Sequence, residues 1–135
     1  MQDAKALLIE TPRAWQAGFA IVPLKTEHSD ETISTAQAWL HQNFDQSFPL
    51  EAPAERVGMS LRNFVRRFRQ ATGDSPLIYV QKLRVAAAKR LLENDHRSMQ
   101  EVSDAVGYGD AAFFRKVFQR HTGVSPSAYR RRFGM

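Results

Sequence analysis

A chain of 135 residues with no cysteine has room for one compact domain with a modest core, and can hold neither a disulfide framework nor a Cys-ligated metal centre. The net charge of +5 is unevenly spread: residues 1–59 carry 4 Lys/Arg against 8 Asp/Glu, and residues 60–135 carry 15 against 6, so the two parts stand near −4 and +9. No apolar run approaches the roughly 20 residues of a membrane span and no signal-peptide pattern opens the chain, so a cytoplasmic protein with a polyanionic partner is expected.

Residues 1–29 mix a strand-like run, Ala6-Leu7-Leu8-Ile9, with Pro12, Gly18 and Pro23, show no helical period, and read as a tail or linker. A first helix is predicted from Ser29-Asp30, where a short polar side chain can accept a free N–H of the first turn, with Ile33, Ala36, Trp39, Leu40 and Phe44 as its apolar stripe. A short second helix follows Phe48-Pro49 and ends at Gly58. The third runs from Ser60 to Thr72-Gly73, with Leu61, Phe64, Val65, Phe68 and Ala71 on one side and Arg62, Asn63, Arg66, Arg67, Arg69 and Gln70 on the other.

Ser75-Pro76 opens a long linker helix over about residues 76–95, because proline at the first helical position gives up no needed N–H. Ser98 and Glu101 form the pattern of a capping box for a fifth helix ending at Gly107. A sixth, about Asp110 to His121, is expected to bury Phe113, Phe114, Val117 and Phe118 and to leave Ala111, Ala112, Arg115, Lys116, Gln119 and Arg120 outside. A last short helix begins at Ser125-Pro126 and carries Tyr129 and Arg130, Arg131 and Arg132.

These elements repeat. Phe64, Phe68, Thr72, Gly73, Ser75, Pro76 and Tyr79 recur 50 residues later as Phe114, Phe118, Thr122, Gly123, Ser125, Pro126 and Tyr129, whereas Val57-Gly58 recurs as Val106-Gly107 after 49, so one residue was gained within the turn. A short helix, a glycine-containing turn and a second helix with a basic outer face is the pattern of a helix-turn-helix, and two in tandem suggest a chain that grips DNA twice. The expected fold is all-α: about seven helices, forming two homeodomain-like three-helix units joined by a long helix.

With Arg84-Val85, Ala88 and Leu91-Leu92 in the joining helix, and Val106-Gly107-Tyr108, Phe114, Phe118, Gly123, Ser125-Pro126 and Tyr129-Arg130 beyond it, residues 30–135 resemble the DNA-binding domain of AraC/XylS-type transcription regulators. Residues 13–20, Arg13 to Ala20, resemble the end of the PfpI or amidotransferase-like domain that precedes this module in one branch of that family. The resemblance implies a promoter-binding regulator with RNA polymerase as a further partner and an effector bound outside this chain. It places the first helix-turn-helix at about 50–73 and the second at about 99–122. Two departures stand out: Gly109 where the family often has a capping residue, and Ala111-Ala112 where polar residues open the second recognition helix.

On the first recognition helix Arg62, Asn63 and Arg66 are the candidate base readers, since Arg can bridge O6 and N7 of guanine and Asn N6 and N7 of adenine; Arg67, Arg69 and Gln70 suit phosphates. On the second, Ala111 and Ala112 can offer only methyl groups, while Arg115, Lys116 and Gln119 reach phosphates or bases. Arg84, amid the apolar face of the linker, is expected to pair with a carboxylate. His28, His41, His96 and His121 lack ligand spacing, and no nucleophile, phosphate-binding glycine loop or carboxylate pair stands out, so neither a cofactor nor an enzyme is expected. Competing readings are a helical protein-interaction module, which would want an apolar outer face, and a nonspecific nucleic-acid binder.

Overall fold

The structure, a computed structural model, describes residues 24–134. The segments Ala6–Ile9 and Arg13–Ala20 lie outside them. The described residues form seven helices: α1 (Glu31–Asn43), α2 (Glu51–Arg56), α3 (Leu61–Thr72), α4 (Pro76–Asn94), α5 (Met99–Ala105), α6 (Ala111–Thr122) and α7 (Pro126–Phe133). Among the described residues there is no strand, and no helix is long and apolar enough to cross a membrane.

Six of the seven start at a side chain that accepts one of the free N–H groups of the first turn: Asp30, Ser60, Ser75, Ser98, Asp110 and Ser125. The capping box forms, with the Glu101 backbone N–H donating to Ser98 Oγ at 3.1 Å and the Ser98 N–H donating to Glu101 Oε1 at 2.8 Å. Asp110 shows where the turn gained its residue. Met59 and Tyr108 are equivalent, each buried and each donating its N–H back to the preceding helix, at Ala54 and Ser103. Ser60 caps α3 directly after Met59, whereas Gly109 intervenes between Tyr108 and its cap Asp110. Gly109 is therefore the additional residue, not a missing cap.

Two apolar clusters form the interior. One contains Ile33, Ala36, Leu40, Ala54, Phe64, Phe68, Tyr79, Val80 and Leu83; the other contains Val85, Ala88, Leu92, Val102, Val106, Phe114, Val117, Phe118 and Tyr129. The boundary falls inside α4, whose first half closes the first cluster and whose second half opens the next. Tyr79 of α4 meets Phe68 edge-on at 5.1 Å, and Tyr129 of α7 meets Phe118 the same way at 5.6 Å. Ile33, Ala36 and Leu40 of α1 have as counterparts Val85, Ala88 and Leu92 of α4, 52 residues on. Even the tyrosine hydroxyls follow this pairing: that of Tyr79 bonds His41 at 2.7 Å, and that of Tyr129 donates to Glu93. One helix is thus the last of the first unit and the first of the second. A buried aromatic or branched side chain contributes about 1.5–3 kcal/mol, so each unit depends on α4 for a large part of its stability.

Arg84, near the midpoint of α4, has no carboxylate partner among the described residues, contrary to the expectation from its place on the apolar face. Its Nε donates to the Phe44 carbonyl at 2.6 Å and Nη2 to the Gln46 carbonyl at 2.9 Å, both in the loop after α1. The guanidinium also lies 4.7 Å from the ring centroid of Tyr108 in the second unit. Main-chain carbonyls at the end of a helix carry partial negative charge, which satisfies a cation without an acidic side chain. Gly107 makes room for this contact: at φ +102° a Cβ there would sit 3.0 Å from Arg84 Cζ and from the Phe44 oxygen. Gly107→Ala is expected to lower stability by about 1–3 kcal/mol in urea melts, both because φ is positive and because Arg84 would have to move.

Candidate nucleic-acid interface

The helix-turn-helix geometry puts one exposed face on each of α3 and α6. On α3, the residues at 3- and 4-residue spacing form a linked row: Arg66 Nη2 donates to Asn63 Oδ1 at 2.6 Å and Nη1 to Gln70 Oε1 at 3.4 Å. Arg62, Arg66, Arg69 and Gln70 are exposed and Asn63 is half-buried. Arg66, the central cation, is held against the helix by two amide oxygens. In a groove it can exchange either for a base acceptor while the donor groups of Asn63 and Gln70 stay available.

Arg67 is placed elsewhere. Its Nη2 donates to Asp30 Oδ1 at 2.8 Å and its Nε to Asp30 Oδ2 at 3.2 Å, a two-pronged pair that ties α3 to the start of α1. The wheel position explains this: the equivalent residue on α6 is Val117, which is buried, so Arg67 leaves the helix beside the core rather than at the crest of the outer face. The Arg67 guanidinium, joined by the Ile33 N–H, holds the Asp30 carboxyl below its ordinary range. The pair turns the Arg67 guanidinium towards the start of α1, away from the row of Asn63, Arg66 and Gln70.

On α6, Ala112, Arg115, Lys116, Gln119 and Arg120 are exposed and Ala111 is half-buried. Phe113 is 49% exposed, not buried as the apolar pattern suggests. Phe114, Val117 and Phe118 define the inward arc, and Phe113 lies just outside its edge, about 40° beyond Val117, at the position Asn63 takes on α3. Its ring packs edge-on against Tyr108 at 5.5 Å. The three positions that carry Asn63, Arg66 and Gln70 on α3 thus carry Phe113, Lys116 and Arg120 on α6.

Ties to α4 fix α6 relative to α3. His121 Nε2 shares a hydrogen bond with Gln81 Oε1 at 2.9 Å, and Lys82 pairs with Asp74, just after α3, at 2.8 Å. At the end of the chain α7 is helical through Phe133, with Arg131 and Arg132 exposed and Arg130 half-buried. Among the described residues no group of three or more His, Asp or Glu side chains could hold a metal ion.

Residues 54–132 match the profile of a helix-turn-helix domain family. The HTH-type transcriptional activator RhaS of Salmonella schwarzengrund is 33% identical over 99 residues, covering 73% of this chain and 36% of that protein. RhaS of Escherichia fergusonii is 33% identical over 104 residues, covering 77% and 37%. The chain therefore spans little more than a third of the length of these relatives. Among solved structures, the DNA-binding domain of AdpA, a global transcriptional factor in complex with a target DNA, superposes with a TM-score of 0.72 at 37% identity over 76% of this chain and 92% of that one. The C-terminal domain of AraT, a response regulator from Geobacillus stearothermophilus, gives 0.77 at 27% identity over 81% and 91%.

Asp30 both caps α1 and pairs with Arg67, and substitution separates the two roles. Asp30→Asn keeps an acceptor for the Ile33 N–H but loses the charge pair. Because the folded carboxyl is stabilised in its ionised form, the pair's contribution is present above the unfolded value of 3.8 and is lost as pH falls through the lower folded value. The difference in stability between wild type and Asp30→Asn, about 1 kcal/mol or less for a partly exposed pair, is expected to shrink in urea melts as pH falls below 3.8 and through the lower folded value.

Proposed function

Since this chain belongs to the family of AraC-type helix-turn-helix domains, we propose that it is a sequence-specific DNA-binding transcription regulator, with α3 and α6 entering adjacent major grooves of a promoter site. The observation that supports this reading is the pair of equivalent outward faces on α3 and α6, rich in cations and braced on one shared helix. Residues 30–135 form the DNA-binding unit. Arg62, Asn63 and Arg66 read base edges, and Arg69 and Gln70 lie along the same helix for phosphate contact. Ala111, Ala112, Arg115, Lys116 and Gln119 line the second contact, where Arg115 and Lys116 supply charge.

The linkage bears on the DNA as well. At 19 residues α4 is about 28 Å long, against about 34 Å for one turn of the duplex. With both units joined through α4 and Arg84, a mismatch with the groove repeat falls on the duplex, which bends or leaves one contact loose. An activator role, as in the names of the RhaS relatives, adds a contact with RNA polymerase. The resemblance of residues 13–20 to the end of an amidotransferase-like domain fits an effector-sensing region upstream of the DNA-binding unit.

Selection from a random duplex library followed by footprinting tests the reading. Two protected blocks about one turn apart are expected, and a steep salt dependence without sequence preference would instead indicate a nonspecific binder. Arg66→Ala is expected to cost about 1–3 kcal/mol and to relax base preference in the first block. Lys116→Ala is expected to weaken all sites nearly alike and to reduce the salt slope by about 1.

A further inference from the structure

We infer that Phe113 is a specificity-determining residue of the second unit, reading the C5-methyl group of thymine in the major groove. The inference rests on the DNA-binding reading above and adds to it a base preference that the polar groups of α6 do not supply.

Half of a phenylalanine ring is left in water on a helix whose inner face has ample apolar residues, at a position where the first copy carries a polar side chain, Asn63. Such exposure loses the gain of burial unless something covers the ring. The ring is also held in place. It packs edge-on against Tyr108 at 5.5 Å; Tyr108 is buried and sits in turn against the Arg84 guanidinium at 4.7 Å. A ring so supported loses little rotamer freedom on contact.

Charge complementarity identifies the occupant. Phe113 shares its face of α6 with Lys116 and Arg120, three and seven residues on, and Arg115 and Gln119 are exposed beside them. An apolar spot surrounded by cations fits a polyanion that itself carries an apolar spot. In the major groove thymine alone presents one, the C5-methyl; cytosine offers an N4 amine beside a bare C5–H, and the purines offer N7 with O6 or N6. A phenyl ring donates and accepts nothing, so against any of these other edges it would strip water from a polar group without replacing the bond. Ala112, the exposed neighbour, extends the same apolar contact. The second block of the site is therefore read by methyl contact, and the first by hydrogen bonds.

The test uses the full chain and its selected duplex. Each thymine of the second block is replaced in turn by deoxyuridine, which lacks only the methyl, and binding is measured at constant salt for wild type, Phe113→Ala and Phe113→Asn, with thermal melts checking that both variants fold. Wild type is expected to lose about three- to fivefold in affinity at one or two thymine positions, in proportion to one buried methyl, and Phe113→Ala to lose that sensitivity. Phe113→Asn, which installs the side chain of the first copy, is expected to move the selected base at that position towards adenine. A deoxyuridine effect that persists in Phe113→Ala, or no sensitive position in the second block of wild type, overturns the inference while leaving sequence-specific binding intact. Failure of wild type to select any sequence would overturn the DNA reading and the inference with it.

Discussion

The double use of α4 is the constraint on which the rest of the structure depends. A helix between two independent domains could be polar all round, with exposed backbone hydrogen bonds and freedom to bend. Here Tyr79, Val80 and Leu83 are buried in one core, and Val85, Ala88 and Leu92 in the other, so the helix cannot turn or unwind without opening both. Arg84 lies where the two sets meet. It fastens the loop after α1 to the turn before α6 through two carbonyl bonds and the face of Tyr108, over the space left by Gly107. Its cost of partial desolvation is offset by main-chain acceptors that belong to a helix end and would otherwise need water.

Rigidity at this joint determines how the two outer faces can be used. On the proposed reading neither α3 nor α6 seeks its groove independently, so ordering precedes the encounter with DNA and less conformational entropy is lost on binding. Each face then has its own chemistry. On α3, Asn63, Arg66 and Gln70 form a row of hydrogen-bonding groups that support one another, while on α6 the corresponding row is Phe113, Lys116 and Arg120. Duplication kept the inward residues, which packing constrains at the level of single methylene groups, and left the outward ones free to diverge.

Much of this was legible in the sequence because the governing interactions are local. Ser60, Ser75, Ser98 and Ser125 cap helices within three residues of themselves, and the 3.6-residue period marks Phe64 with Phe68 and Phe114 with Phe118 as inward. Periodicity was less informative at the edges of a face. Phe113 and Arg67 both lie beside the buried arc, where a wheel cannot say whether a side chain turns inward or outward; one emerged exposed and the other was drawn to Asp30. The correspondence of α1 with the second half of α4 was invisible as sequence similarity. Only the packed positions Ile33, Ala36 and Leu40 against Val85, Ala88 and Leu92 carry it, and small differences in loop length shift their offset from 50 to 52.

The sequence by itself determined the all-helical class, the number and limits of the helices, the two repeated units and the concentration of positive charge on one side of each, because capping, helical period and turn glycines act between residues a few places apart. The tertiary structure alone decided which partners the long-range polar groups found. Arg84 took carbonyls 38 and 40 residues away, Arg67 took Asp30 at 37, and the Tyr79 hydroxyl took Gln37 and His41. A hydrogen bond or ion pair depends on ångström distances between groups that the chain brings together only by folding, and no spacing along the sequence encodes those distances.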